Sequence, residues 1–571
     1  MDNQRLLIWA FFGLLAWLTY QAWMEDYGPQ PPAATDAPPA TVTAPGEPLD
    51  TGLPELVGPA MDAPVDAPAV QLDSGTAQAD ATGVSAPNIR IQTDVFDITI
   101  SLQGGGLQWA TLQNYPVAKD QPDKLVSLLS DDPNDIGLIQ SGLRAVGDGP
   151  EPNHLAIFTS ERDSYSLGGA DELIVPLRWT NDAGVTVDKR YRFTRGGYAI
   201  ALEQRVTNAS AEPWRGAEYA QMLRRSFTPD RSMFDVDSYS FDGPIIYDGD
   251  KSAKLKRDDL LDDGAYSFVA ENGWFGAIQH HFVSAVVPQR GTNQRYNVAV
   301  RGQTSTASAI GPTRTIAPGS SETFSATIFV GPKLQSQLEE IDPSLKLTVD
   351  YGFLTILSQP LFWLLSKAYA VFANWGVSII AVTILIKLVF YKLTESSGRS
   401  MAKMRNLQPR IKALQERYKE DRQQLSQAMM DMYKREKVNP AAGCLPILVQ
   451  MPFFLAFYWV LLESVEMRQA PFALWITDLS SRDPFFILPL IMGAAMFFQQ
   501  KLNPQVGDPI QVKVMQVMPV IFTAFFAFFP AGLVLYWVTN TLLSIAQQWK
   551  INKVVEAEAK QQKGGKKPKS S

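Results

Sequence analysis

The feature that most constrains this chain is the series of apolar segments that fills its last third. Residues 371–393, 441–462, 485–502, 514–529 and 533–549 are long apolar runs, and none contains Asp or Glu. Runs of this length and composition are expected to cross a bilayer. A sixth run, 6–23, carries Trp9, Trp17 and Trp23 as interfacial anchors and no small-x-small cleavage site directly after it. The expectation for 1–23 is therefore an uncleaved signal-anchor helix.

The net charge of -7 acquires meaning only once it is divided between the sides of a membrane. Segment 395–440 has 11 Lys/Arg against 6 acidic residues, and 550–571 has 7 Lys against 2 Glu. By contrast, 24–88 holds 12 prolines, 10 acidic residues and no Lys or Arg, while 463–484 has two Arg and four acidic residues. Basic segments stay in the cytoplasm. Six spans with both termini cytoplasmic then satisfy every loop: the spans at 1–23 and 371–393, a basic hairpin at 395–440, four more spans within 441–549, and a basic tail at 550–571. Residues 24–88 are a Pro/Ala-rich acidic linker, too poor in apolar surface to repay the entropy of ordering. Runs 514–529 and 533–549 flank Pro530-Ala531-Gly532 and would each reach only about 25 Å, short of a core about 30 Å thick.

Between 89 and 332 the pattern changes to strict alternation, as in FDITISL (96–102) and AIALEQRV (199–206), punctuated by Gly, Asn, Asp and Pro. This predicts an all-β sandwich outside the cytoplasm. Glu271, His280 and His281 offer a weak carbohydrate-site reading within it. Residues 333–372 read as amphipathic, interfacial helices: Leu334, Leu338, Ile341 and Leu345 recur at helical spacing, and Pro360 and Lys367 interrupt the apolar stretch that follows.

The spans carry polarity that lipid alone would not tolerate. Lys387 lies among apolar neighbours, where a charge costs about 2.5–3.5 kcal/mol on insertion scales, so it is expected to face protein or water. Snorkelling to the cytoplasmic surface is the bland alternative. Thr383 precedes Lys387 by one turn on the same face. Gln450 interrupts the next span, and Trp537, Asn540, Thr541, Ser544 and Gln548 form a stripe along the last, with interhelical hydrogen bonding as the plainer account. Together these residues suggest a wet, cationic groove that draws in the polar part of an incoming chain while its apolar flank opens to lipid. A solute transporter or channel with a large external domain is the alternative reading. The missing intramembrane carboxylate argues against a proton pump.

In 395–440, Met404, Leu407, Ile411, Leu414 and Tyr418 step by 3 and 4, and Leu425, Met429 and Met432 follow the same rhythm. This predicts an antiparallel helical hairpin, kinked or restarted at Pro409. Met401, Met404, Met429, Met430 and Met432 give it an adaptable apolar surface, most of it used in the seam. The basic excess suits lipid head groups or ribosomal RNA. One cysteine, Cys444, and three histidines without ligand spacing leave no disulfide or metal site, and no nucleotide fingerprint or nucleophile elbow is present. No cofactor is expected.

Four stretches, SMAKMRNLQPRI (400–411), KVNPAAGCLP (437–446), RQAPFALW (468–475) and FPAGLVLY (529–536), resemble the bacterial YidC membrane insertases of the YidC/Oxa/Alb family. The likeness runs through 350–550, and the N-terminal anchor, linker and β-domain resemble the Gram-negative form. The resemblance implies a five-helix core with a polar groove and a periplasmic β-supersandwich similar in fold to sugar mutarotases but not catalytic. It also implies an inner-membrane protein that inserts and chaperones nascent membrane proteins, alone or beside the Sec translocon, with the ribosome and signal recognition machinery as further partners. The family's groove arginine corresponds to Lys387, its substrate-contacting threonine to Thr383, its glutamine to Gln450 and a tyrosine of the last span to Trp537. Lys387 keeps the charge without the planar fork of Arg.

Overall fold

A computed structural model describes residues 87–147, 149–225, 240–418, 421–436, 438, 445–502 and 509–564. The expected signal anchor, nearly all of the linker, and Cys444 fall outside the described residues. The described chain forms two units, a β unit up to residue 349 and a helical unit from residue 350.

The β unit bears out the alternation. Among the described residues, 19 strands between Asn88 and Pro332 build an 11-stranded and an 8-stranded sheet. Strand Val185–Thr194 shows how: Val185, Val187, Lys189, Tyr191 and Phe193 are all buried, while Arg190, Arg192 and Thr194 are exposed. A period of two places one set of side chains on the core face. The surprise is Lys189, fully buried on that face. Its ammonium donates to Gly104 O at 2.8 Å and Ser141 O at 2.9 Å, with the rings of Phe158 and Tyr191 at 5.5 and 5.7 Å. Ser141 belongs to the other sheet, so this side chain staples one sheet to the other. The Tyr191 hydroxyl does likewise, donating to Gly105 O at 2.5 Å. Gly104 and Gly105 present these carbonyls from a turn with φ of 71° and 62°. A Cβ on Gly104 would lie 2.3 Å from His154 O, so glycine is needed there.

Helix α1 (Arg257–Asp262) and helix α2 (Gln335–Ile341) also belong to the β unit. The helical spacing of Leu334, Leu338, Ile341 and Leu345 does not run through one helix: α2 stops before Asp342-Pro343, and a 3-10 turn, Pro343–Thr348, follows. Asp342 is extended (φ -154°) and its carboxylate accepts from Ser344 N at 2.8 Å, capping the new turn. Proline disfavours the α region for its predecessor. Glu271 and His280–His281 lie at opposite ends of strand Trp274–Gln279, about 20 Å apart at about 3.3 Å per residue. No shared carbohydrate site forms from them.

The helical unit contains α3 (Thr355–Phe372), α4 (Trp375–Val389), α5 (Tyr391–Arg417), α6 (Arg422–Arg435), α7 (Leu445–Glu463), α8 (Ile487–Leu502), α9 (Pro509–Phe526) and α10 (Ala531–Gly564). The expected span at 371–393 begins late. Ala373 adopts a left-handed conformation (φ 50°) and ends α3, and the Asn374 side chain accepts from Val377 N to cap α4. Asparagine at such a cap satisfies an otherwise orphaned amide. The hairpin is present as α5 and α6, with Met404, Leu407, Ile411, Tyr433 and Val438 as its core and Met429 and Met432 packed against it. Met401 and Met430 are half-buried. Helix α5 runs through Pro409 unbroken instead of restarting there. The helix of the last run outlasts its apolar part: α10 is 34 residues long and continues well into the expected tail.

No single described helix is both long and apolar enough to cross a membrane; α4 and α5 pass that test together, with a 68° bend between them. The helices expose much apolar surface, including Ile356, Trp363, Leu388, Val389, Leu490, Phe498, Val520 and Phe525. Large apolar side chains exposed in such number suit a membrane or a partner.

Candidate functional site

Three helices start from one loop. Asn374 Nδ2 donates to Phe472 O at 2.9 Å at the head of α4. Asp483 Oδ2 accepts from Leu488 N at 2.7 Å in the first turn of α8. Ala531 N and Gly532 N, opening α10, donate to Ser481 O and Leu479 O at 2.7 and 2.9 Å. The loop is braced by Asp478, whose Oδ1 accepts from Gln469 N, Ser480 N and Ser480 Oγ. With their heads level, positions along α4 and α10 can be compared by counting residues. Lys387 is 12 residues below Trp375 and Ser544 is 13 below Ala531, so both lie about 18–20 Å from the loop.

At that level they meet. Lys387 Nζ donates to Ser544 Oγ at 2.8 Å, and Ser544 Oγ donates to Asn540 O at 2.7 Å. Lys387 is 8% exposed. It shares its face of α4 with Trp375, Gly376, Ile379, Val382 and Thr383, all buried, while Leu385, Leu388 and Val389 point outward. The side chain thus turns into the helix packing and does not snorkel. An ammonium has three donors. Among the described residues one is used, on a neutral hydroxyl, and no carboxylate pairs with it. A buried charge so thinly compensated is costly.

The other expected residues divide. Thr383 is buried, and its hydroxyl donates to Ile379 O of its own helix at 2.6 Å. Thr541 is buried and Asn540 contributes its carbonyl. Trp537 joins an aromatic cluster, with Phe454 of α7 at 4.8 Å and Phe526 of α9 at 5.2 Å. Gln450 is half-buried on α7. Sequence reasoning missed the pairing of Gln547 and Gln548 with α5, although both continue the polar stripe of α10.

Two family models match: the 60Kd inner membrane protein over residues 367–559, and the YidC periplasmic domain over 88–364. A membrane protein insertase YidC from Thioalkalivibrio sulfidiphilus is 46% identical over 98% of this chain and 100% of its own length. One from Nitrosococcus oceani is 46% identical over the same shares of each chain. Among solved structures, an active YidC insertase with its first transmembrane domain resolved covers 81% of this chain and 92% of its own. Its sequence identity is 19% and its TM-score 0.37.

Proposed function

The chain belongs to the family of the membrane protein insertase YidC, and from that premise we propose that Lys387 carries its insertion chemistry. The observation behind this is the ammonium with two donors to spare, held about 18–20 Å from the loop that heads α4 and α10. If that loop faces the periplasm, Lys387 sits beyond the midplane of a core about 30 Å thick, in the cytoplasmic half. Its unspent donors and charge attract the acidic or carbonyl-rich part of an incoming segment into a hydrated groove. Thr383, Gln450, Trp537, Asn540, Thr541 and Ser544 line that groove. Once the polar part is held, the segment's apolar face partitions into lipid, a gain of about 25 cal/mol per Å² that needs no nucleotide.

The full reading has six spans, both termini in the cytoplasm and the β unit in the periplasm of a Gram-negative cell. Its clients are nascent membrane proteins, received alone or beside the Sec translocon, with the ribosome and signal recognition machinery upstream. Nothing in the mechanism calls for a catalytic group or a cofactor. The relatives' names support insertion over solute transport.

The test is insertion of a small two-span client into vesicles bearing Lys387 variants. Lys387→Ala should insert about tenfold more slowly, a loss of about 1.4 kcal/mol. Lys387→Glu should be worse, and Lys387→Arg should remain within about twofold. Wild-type rates in both the Ala and Glu variants would remove the groove charge from the mechanism.

A further inference from the structure

The contact between Lys387 and α10 is the top of a longer seam. Beyond the 68° bend that follows Val389, Gln547 Nε2 donates to Tyr391 O at 3.3 Å and Gln548 Nε2 to Gly398 O at 3.5 Å. Next, Ala402 of α5 packs with Ile551 and Val555 of α10 as a buried cluster. Lowest, Arg399 bridges Glu395 at 3.2 Å on its own helix and Glu558 at 3.1 Å on α10. At Gly398 a Cβ would meet the ends of two α10 side chains, 2.7 Å from Ile551 Cδ1 and 2.9 Å from Gln548 Oε1, so a larger side chain there must displace both. Helix α10 is continuous along all of it.

A bend between two helices is a weak joint, because the ladder of backbone hydrogen bonds is interrupted there. An unbroken helix lying along both arms fixes the angle from outside. We infer that the part of α10 beyond the apolar span is a splint. In that role Gly398, Gln548 and Arg399 are positioning residues that hold the cytoplasmic hairpin at a set angle to α4 and thereby keep Lys387 turned toward Ser544. The inference rests on the groove reading for its functional consequence, but its geometry stands alone.

Two perturbations test it away from the groove. Gly398→Val wedges α5 from α10. Arg399→Glu places like charges beside Glu395 and Glu558, and adding Glu558→Arg restores one attraction. In a Cys444→Ser background, spin labels at Gln424→Cys on α6 and Leu474→Cys on the loop report the hairpin angle as a distance distribution. The unaltered chain should give one narrow distribution. Gly398→Val should shift or broaden it and slow insertion about tenfold, as overpacking of a tight contact does. Arg399→Glu should do so more mildly, about threefold in rate for an exposed pair, with partial recovery in the double variant. An unchanged distribution in Gly398→Val overturns the splint whatever insertion does. A shifted distribution with wild-type insertion upholds the splint's geometry and overturns its functional consequence, while the groove reading is judged separately by the Lys387 variants.

Discussion

Lys189 of the β unit and Lys387 of the helical unit are both buried, and the two units treat them in opposite ways. Lys189 is enclosed between sheets, with two backbone carbonyls and two aromatic faces around its ammonium. Lys387 has one hydroxyl, itself committed to a carbonyl of its own helix. Burying an ammonium costs several kcal/mol unless hydrogen bonds compensate. In the first case the compensation is internal, and the residue serves the fold. In the second it is incomplete, and the shortfall is what the proposed groove would offer an incoming polypeptide. Burial alone does not set the two lysines apart; the number of unspent donors does.

The comparison breaks most visibly if Lys189 proves dispensable. Lys189→Ala leaves Gly104 O and Ser141 O without a donor and a cavity between the sheets. Relief of the ammonium's desolvation offsets only part of that, so the β unit should lose about 3 kcal/mol. Hydrogen exchange of the Gly137–Ala145 amides in the full chain would then quicken about a hundredfold if they exchange by global opening. Unchanged protection would mean that the two carbonyls find other partners and that Lys189 is no staple. Insertion should suffer only so far as the β unit unfolds.

The two lysines also differ in how legible they were. Lys387 stood out because a charge within an apolar run has no ordinary explanation. Lys189 was equally visible in principle: Val185, Val187, Lys189, Tyr191 and Phe193 keep the period of two, and a lysine in the inward set is the anomaly. It is masked in the sequence because arginines at 190 and 192 make the strand look charged throughout. Element types were readable from periodicity, but boundaries depended on single capping residues. Asn374 and Asp342 each moved an end that hydropathy placed elsewhere. The long α10 was hidden by composition, since lysines drew attention from Ile551 and Val555 at helical spacing. The meeting of Lys387 with Ser544 was not readable, because it depends on three helices hanging from one braced loop.

A pH profile sharpens the contrast at a smaller scale. Burial pulls Lys189 down from 10.5 to about 7. Between those values the unfolded chain holds more protons than the folded one, so this group makes stability rise with pH. Burial also pushes Glu218 up from 4.5 to about 7, and Asp242 from 3.8 to about 6. Over those ranges the folded chain holds the extra proton, so stability falls as pH rises. The β unit should therefore be least stable near neutrality, with limbs on the order of 1 kcal/mol per pH unit at their steepest. Urea midpoints of the β unit's transition, taken from pH 5 to 9 on the intact protein, would show it. Glu218→Gln should flatten the acid limb and Lys189→Met the alkaline one; a monotonic profile would contradict the burial of one set or the other.

The smallest expected effect concerns the hydroxyls beside the two lysines. Tyr191 spends its hydroxyl across the sheets on Gly105 O, and Thr383 spends its own within α4 on Ile379 O. A threonine bonded back to the preceding turn gives its helix little, since that carbonyl already accepts from a backbone amide. Thr383→Val keeps the shape, and the face of α4 on which Thr383 sits is buried. If the groove works through the charge of Lys387, the client insertion rate should stay within about twofold of wild type, less than about 0.4 kcal/mol. A tenfold loss in Thr383→Val, with α4 still folded, would show the hydroxyl turning from Ile379 to the client. The helical unit would then bind through more than one unspent donor, and the contrast with the self-contained β unit would be sharper than a single ammonium makes it.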